Sequence, residues 1–229
     1  MQEVSAVSVA EAPRRERKKR QTRDALVHEA LKLFDAKGYE QTAVREITDA
    51  VDVSERTFFR YFANKEDLAL SFVRDTSDAL TRALAARPAA EEPLTALRNA
   101  FHESLRTLTG DDGHHVEEST YLLVVRLIDN TPSLLAAHLR YLHDHDDELV
   151  RVLAEREGVD PLTDLRPRIA ASVFGGLVVT ANRAWRTEGG GSVERMLAVF
   201  DTCLAQVGPA LSGHWTEEPW RAPGTGSRP

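Results

Sequence analysis

The run Thr42–Lys65, TAVREITDAVDVSERTFFRYFANK, constrains this chain more than any other stretch, because two short helices and the tight turn between them are written into it. Thr42 and Ser54 can each accept a hydrogen bond from the free amides that open a helix, so each reads as a start signal. Between them Val44, Ile47 and Val51 recur at helical spacing and give the first helix one apolar face. After Ser54, Phe58 and Phe62 lie four residues apart and share a second inward face. Glu55, Arg56, Thr57, Phe59 and Arg60 are then left pointing outward near the start of the second helix. A helix of this size fits a DNA major groove, and a guanidinium in that position can bond a guanine edge through two hydrogen bonds.

The formal charge of −7 argues against nucleic acid until its distribution is considered. Residues 14–65 hold 13 Lys and Arg against 9 Asp and Glu, whereas 66–229 hold 16 against 25. The densest cluster is Arg14, Arg15, Arg17, Lys18, Lys19, Arg20 and Arg23, opposed by Glu16, and such clusters neutralise phosphates and release counterions. A hydrophobic content of 42% over 229 residues suffices for a real core. Cys203, the one cysteine, excludes an internal disulfide and points to a reducing, cytoplasmic setting. No apolar run is long enough for a membrane span.

The period of 3.6 residues extends almost throughout. It predicts helices over 18–37, with Ala30, Leu33 and Phe34 turned inward, and over 65–86 after an Asn64 cap. Further helices are expected over 93–109, 116–129, 132–157, 164–187 and 193–211, so the fold class is all-α. The last two carry stripes that suggest a partner: Val173, Gly176 and Leu177 on one, Leu197, Phe200 and Leu204 on the other. Gly175 and Gly176 inside a helix each cost about 1 kcal/mol relative to alanine, and close approach of another backbone would compensate.

Residues Arg20–Leu70 resemble the DNA-binding domain of the TetR family of bacterial transcriptional regulators, TetR/AcrR-like. The resemblance rests on ALVHEALKLFDAKGYEQT at Ala25–Thr42, the Val53–Ser54 pair, ThrPhePheArgTyrPhe at 57–62 and AsnLysGluAspLeu at 64–68. Asp52 stands where the family most often has the turn glycine, and Asp tolerates a left-handed backbone less easily than Gly. Phe59 replaces a usual tyrosine, which removes one phosphate contact and leaves a ring for a thymine methyl. The resemblance implies base or groove contacts from Arg45, Arg56, Thr57, Phe59 and Arg60, and phosphate contacts from Thr42, Ser54, Tyr61 and Lys65. It also implies a homodimer built on the last two long helices, placing two recognition helices on a palindromic operator of double-stranded DNA. The expected organisation is a disordered basic arm at 1–16, a helix-turn-helix domain at 17–64, a helical effector-binding and dimerisation domain at 65–211, and a flexible tail at 212–229.

Family members generally sense a small molecule in the helical domain. Candidate pocket residues are Phe72, Phe101, Leu105, Tyr121, Leu122, Val125, Leu135, Tyr141, Phe174 and Trp185, mostly apolar and suited to a hydrophobic or amphipathic effector. Arg126 could receive an anionic group or pair with Asp129 on the surface. His138, His143 and His145 do not share one helical face, so no metal is expected, and no cofactor is implied. Phosphate loops, nucleophile elbows and paired metal motifs are lacking, which argues against an enzyme. The function that results is a ligand-responsive, sequence-specific repressor; the alternative is an activator, or a regulator whose C-terminal domain only dimerises.

Overall fold

A computed structural model describes residues 6–109 and 118–212; the side chains of 6–14, 108–109, 118–120, 122 and 212 lie outside that description. Eleven helices and no strand occur among the described residues: α1 (Ala6–Lys37), α2 (Val44–Ala50), α3 (Glu55–Phe59), α4 (Lys65–Ala69), α5 (Ser71–Ala86), α6 (Pro93–Thr109), α7 (Glu118–Asn130), α8 (Pro132–Glu157), α9 (Arg166–Thr187), α10 (Val193–Ala205) and α11 (Val207–Ser212). None is long and apolar enough to cross a membrane. The expected tail lies almost wholly outside the described residues.

α1 begins at Ala6 and not near residue 18, so the segment expected as a disordered arm is helical from that point. Arg, Lys and Glu make up residues 14–20, and these good helix formers prolong a helix already nucleated downstream. Leu31 joins Leu26, Ala30 and Phe34 in the core, and Leu33 stays half-buried.

The chain divides into two compact units, and the division is not the single cut at 64/65 expected from sequence. The first unit combines residues 1–75 with 119–141. Its core gathers Phe34, Ile47, Phe58, Phe62 and Leu68, and Arg23 reaches Asp75 at 2.9 Å while lying 5.5 Å from the Phe62 ring centroid. Here α7 and the start of α8 join the short helices through specific contacts. Arg126 approaches Asp35 at 3.6 Å and not the expected Asp129, the Ser133 hydroxyl donates to Glu40 at 2.9 Å, and the Phe72 and Tyr121 rings meet edge to face at 5.8 Å. The helix expected over 65–86 is interrupted at Leu70. Leu68 through Phe72, the five consecutive buried residues that span this break, are more than one face of a single straight helix can cover.

The second unit, residues 76–118 and 142–229, is built around α9 and α10 packed along each other with α6 against both. Phe101, Phe174 and Phe200 form a mutual aromatic cluster with centroid distances of 4.9–5.8 Å. Arg156 closes one end by donating to the carbonyls of Leu84, Arg87 and Pro88 at 3.2, 2.7 and 3.0 Å. The helix expected over 193–211 breaks at Gln206. Pro209 has no amide to give the Ala205 carbonyl, and its ring would clash there.

Candidate DNA interface

α2 ends in a geometry that aims α3. Asp52 has φ of 54°, the left-handed value expected of this position. The Val53 amide returns to the Thr48 carbonyl at 3.0 Å and the Asp52 amide to Asp49 at 3.3 Å, which is the Schellman arrangement with an aspartate in glycine's usual place. Ser54 then caps α3: its hydroxyl accepts from the Thr57 amide at 3.1 Å and lies 3.0 Å from the Thr57 hydroxyl. Phe58 is fully buried, and its ring centroid sits 5.6 Å from that of Phe62. Packing on that side leaves Glu55, Arg56 and Arg60 exposed, Phe59 54% exposed and Thr57 partly so.

The three arginines of this surface are held differently. Arg45 faces Asp49 one helical turn away at 3.8 Å. Arg60 lies over the Tyr61 ring at 5.0 Å and donates to its hydroxyl at 3.2 Å. Arg56 makes no ion pair or side-chain hydrogen bond among the described residues, and its guanidinium is available to a partner.

Two residues expected at phosphates are placed otherwise. Thr42 is only 2% exposed, and its hydroxyl donates to the Gly38 carbonyl at 2.9 Å, so it neither caps α2 nor faces outward. Ala43 is the N-cap, and Glu46 supplies the acceptor by taking the Ala43 amide at 2.8 Å. That bond, with the neighbouring Lys37 ammonium, holds the Glu46 carboxyl below its ordinary range. An acid three residues past the cap was a legible signal for this. Lys65 also turns inward: its ammonium donates to the carbonyls of Tyr39 and Thr42 at 2.6 and 2.9 Å and lies 4.2 Å from the Tyr39 ring centroid. Burial pushes its pKa down. Tyr39, which the sequence reading did not single out, has its phenol pushed up to about 12, by burial first and then by Glu66 and Glu40. Asn64 caps α4 as expected, accepting from the Asp67 amide at 2.8 Å.

The remaining candidates fall in separate places. Phe72, Tyr121, Val125, Arg126, Leu135 and Tyr141 belong to the first unit, and Phe101, Leu105, Phe174 and Trp185 to the second. Leu122 has its side chain outside the described residues. Phe101 and Phe174 pack against Phe200, and Leu105 and Trp185 are fully buried. Arg126 does line a cavity of about 350 Å³ with Phe34, Tyr39, Leu127 and Thr131. In the second unit a polar groove of about 720 Å³ is lined by Arg98, His102, Arg106 and Asp201. There Arg98 grips Asp201 with two bonds of 2.7 and 2.5 Å, and His102 Nε2 lies 3.0 Å from the same carboxylate.

Of the stripe residues expected at a dimer interface, Leu197 and Phe200 are buried within their own subunit, 1% and 0% exposed, because α10 turns them toward α6 and α9. Val173, Leu177 and Leu204 remain partly accessible and Gly176 is exposed. Among the described residues, nothing outside the helix's own adjoining backbone would come within 4 Å of a Cβ at Gly175 or Gly176, so no described packing inside the subunit accounts for either glycine.

The profile of bacterial regulatory proteins of the tetR family matches residues 26–72, and that of the MftR C-terminal domain matches residues 91–212. The HTH-type transcriptional regulator TcmR of Streptomyces glaucescens is 39% identical over 201 residues, covering 88% of this chain and 89% of that protein. The regulator MftR of Mycobacterium tuberculosis, whose name links it to mycofactocin biosynthesis, is 27% identical over 180 residues, 75% of this chain and 84% of its own. A transcriptional regulator from Aquifex aeolicus VF5 gives a TM-score of 0.49 at 16% identity, covering 81% of this chain and 97% of the other.

Proposed function

This chain belongs to the TetR family of bacterial regulatory proteins, whose members regulate transcription by binding DNA, and on that premise we propose that it is a dimeric repressor released from a palindromic operator by a small hydrophobic or amphipathic effector. The observation that carries this reading is α3. It is capped by Ser54, anchored by Phe58 and Phe62, and presents Arg56, Phe59 and Arg60 to solvent. In this reading Arg56 and Arg60 address base edges, Phe59 meets a thymine methyl, and Arg45 and Thr57 border the groove. Ser54 and Tyr61 hold phosphates, which fix register without reading sequence.

Dimerisation is supported by α9, where Ile169 and Val179 are more than half exposed beside the uncrowded glycines. A two-fold dimer would set its recognition helices about one DNA turn apart. The effector acts only through its preference for the form that does not bind DNA, so ligand affinity and operator affinity must oppose each other. Selection from random duplexes tests the core of the proposal. Recovery of an inverted repeat is expected, and recovery of no preferred sequence at modest ionic strength overturns it.

A further inference from the structure

The resemblance assigns Lys65, which opens the helix directly after α3, to a phosphate. Here its ammonium is already spent. Lys65 Nζ lies 2.6 Å from the Tyr39 carbonyl, 2.9 Å from that of Thr42 and 3.5 Å from that of Glu40, over the Tyr39 ring. An ammonium has three protons, and these acceptors match them in number and take them from one side. The Tyr39 ring is itself fixed edge to face on Phe34 at 5.1 Å. The turn from Gly38 to Thr42 is further closed by the Thr42 hydroxyl on Gly38 and is held on its other flank by Ser133 on Glu40.

The chain position of this cation matters. α3 is joined to the rest of its unit at two ends: through the Asp52 turn to α2, and through residues 60–64 to α4. Lys65 is the first residue of α4, and the turn it grips leads directly into α2. One side chain therefore ties together the two segments from which α3 is suspended. We propose that Lys65 is a positioning residue for sequence discrimination, fixing the posture of α3 by plugging the carbonyls of the α1–α2 turn, and that it is not a phosphate contact.

This inference rests on α3 being the reading helix, and the test separates the two. The assay measures affinity for the selected operator and for a scrambled duplex across a salt series, with Lys65→Met, Lys65→Arg and Tyr39→Leu beside the wild type. A lost phosphate contact makes the slope of log K against log salt shallower by about 0.9 per site and lowers affinity for both duplexes alike. A lost position leaves the scrambled-duplex affinity and slope unchanged and lowers the ratio of specific to non-specific binding, here by tenfold or more. Lys65→Arg retains the charge, but its planar fork cannot converge on three carbonyls around one point, so it should fall well short of restoring discrimination. Tyr39→Leu removes no cation and keeps the carbonyls, but it takes away the ring that Lys65 lies over and that fixes the turn against Phe34, so it should lower discrimination in the same direction; it also serves as the readout should Lys65→Met fail to fold. Full restoration by Lys65→Arg, a shallower slope in Lys65→Met, or unchanged discrimination in Tyr39→Leu each overturns the proposal. If Arg56→Ala, run in parallel, also leaves sequence preference intact, the reading of α3 fails and this inference with it; if only Arg56→Ala alters preference, the Lys65 inference fails alone.

Discussion

Replacing Arg56 by alanine should remove sequence information and little else. Arg56 is exposed on the first turn of α3, and no contact among the described residues has to be broken when it meets DNA or is lost when it is deleted. The variant should therefore fold with unchanged thermal stability. A guanidinium bonded bidentately to a guanine contributes about 1–3 kcal/mol of discrimination. A two-fold dimer uses the residue twice, so an intact operator should lose about 2–6 kcal/mol, roughly 30-fold to 10⁴-fold in affinity. Arg45 should matter less, because its exposed pair with Asp49, of the class contributing about 0.3–0.5 kcal/mol, must be exchanged on binding. Fluorescence anisotropy on the operator and its single-base variants would show the loss confined to one base pair per half-site. An equal fall on every variant would make Arg56 a phosphate contact, and no fall at all would remove it from the interface.

Asp52 pays a left-handed strain of about 1 kcal/mol that glycine avoids, offset in part by the greater freedom of glycine in the unfolded chain. Asp52→Gly should raise the melting temperature by a few degrees at most and Asp52→Val should lower it by several; equal melting of the two would contradict the turn geometry. Burial holds His102 below its ordinary pKa despite the Asp201 carboxylate, so the unfolded chain takes up its proton first as pH falls. The stability it contributes is complete above about pH 6.5 and declines as pH drops from there toward the lowered folded value, and His102→Gln should flatten that decline in urea titrations at pH 8, 6 and 5. Among the described residues nothing lies within 4 Å of a Cβ placed at Gly176, and leucine is the better helix former, so Gly176→Leu should leave the monomer at least as stable as before, yet sedimentation should show a weakened dimer; an undiminished dimer would take α9 out of the interface. Neutralising Arg15, Arg17, Lys18 and Lys19 should reduce affinity for all duplexes and flatten its salt dependence, with sequence preference unchanged.

The elements that were legible in the sequence are those whose signals are local. Pro93 and Pro132 open α6 and α8 where the missing amide costs nothing, and Ser54 and Asn64 accept from amides three residues ahead. What was illegible depends on partners distant in sequence or on a choice between equivalent partners. Thr42 had the right chemistry for a cap, but the Gly38 carbonyl offered its hydroxyl an acceptor one turn back. Lys65 finds its acceptors 23 to 26 residues away. The stripe on α10 could not reveal that Leu197 and Phe200 face inward while Leu204 stays partly open, because a 3.6-residue period gives the width of an apolar face and not what covers it. The grouping of α7 with the DNA-reading helices rests on pairs such as Arg126 with Asp35, and no composition shift marks them.

The distribution of charge suggests how affinity and selectivity are divided. Along α2, α3 and the turn between them the exposed cations Arg45, Arg56 and Arg60 are offset by four exposed acids, Glu46, Asp49, Asp52 and Glu55, and Lys65 is turned inward. That surface has no cationic excess to attract a phosphate backbone of arbitrary sequence. Each carboxylate near the backbone is repulsive unless well-placed base contacts compensate, so a wrong sequence is penalised as well as unrewarded. On the proposed reading, attraction independent of sequence is supplied elsewhere, with the exposed cations Arg15, Arg17, Lys18 and Lys19 on the first half of α1 as its concentrated source. They are carried on α1, the helix whose later residues Leu26, Ala30 and Phe34 enter the core of the reading unit. The two contributions should accordingly respond to salt differently: binding through α1 weakens steeply as salt rises, while the ratio between operator and random duplex, set at α3, changes far less.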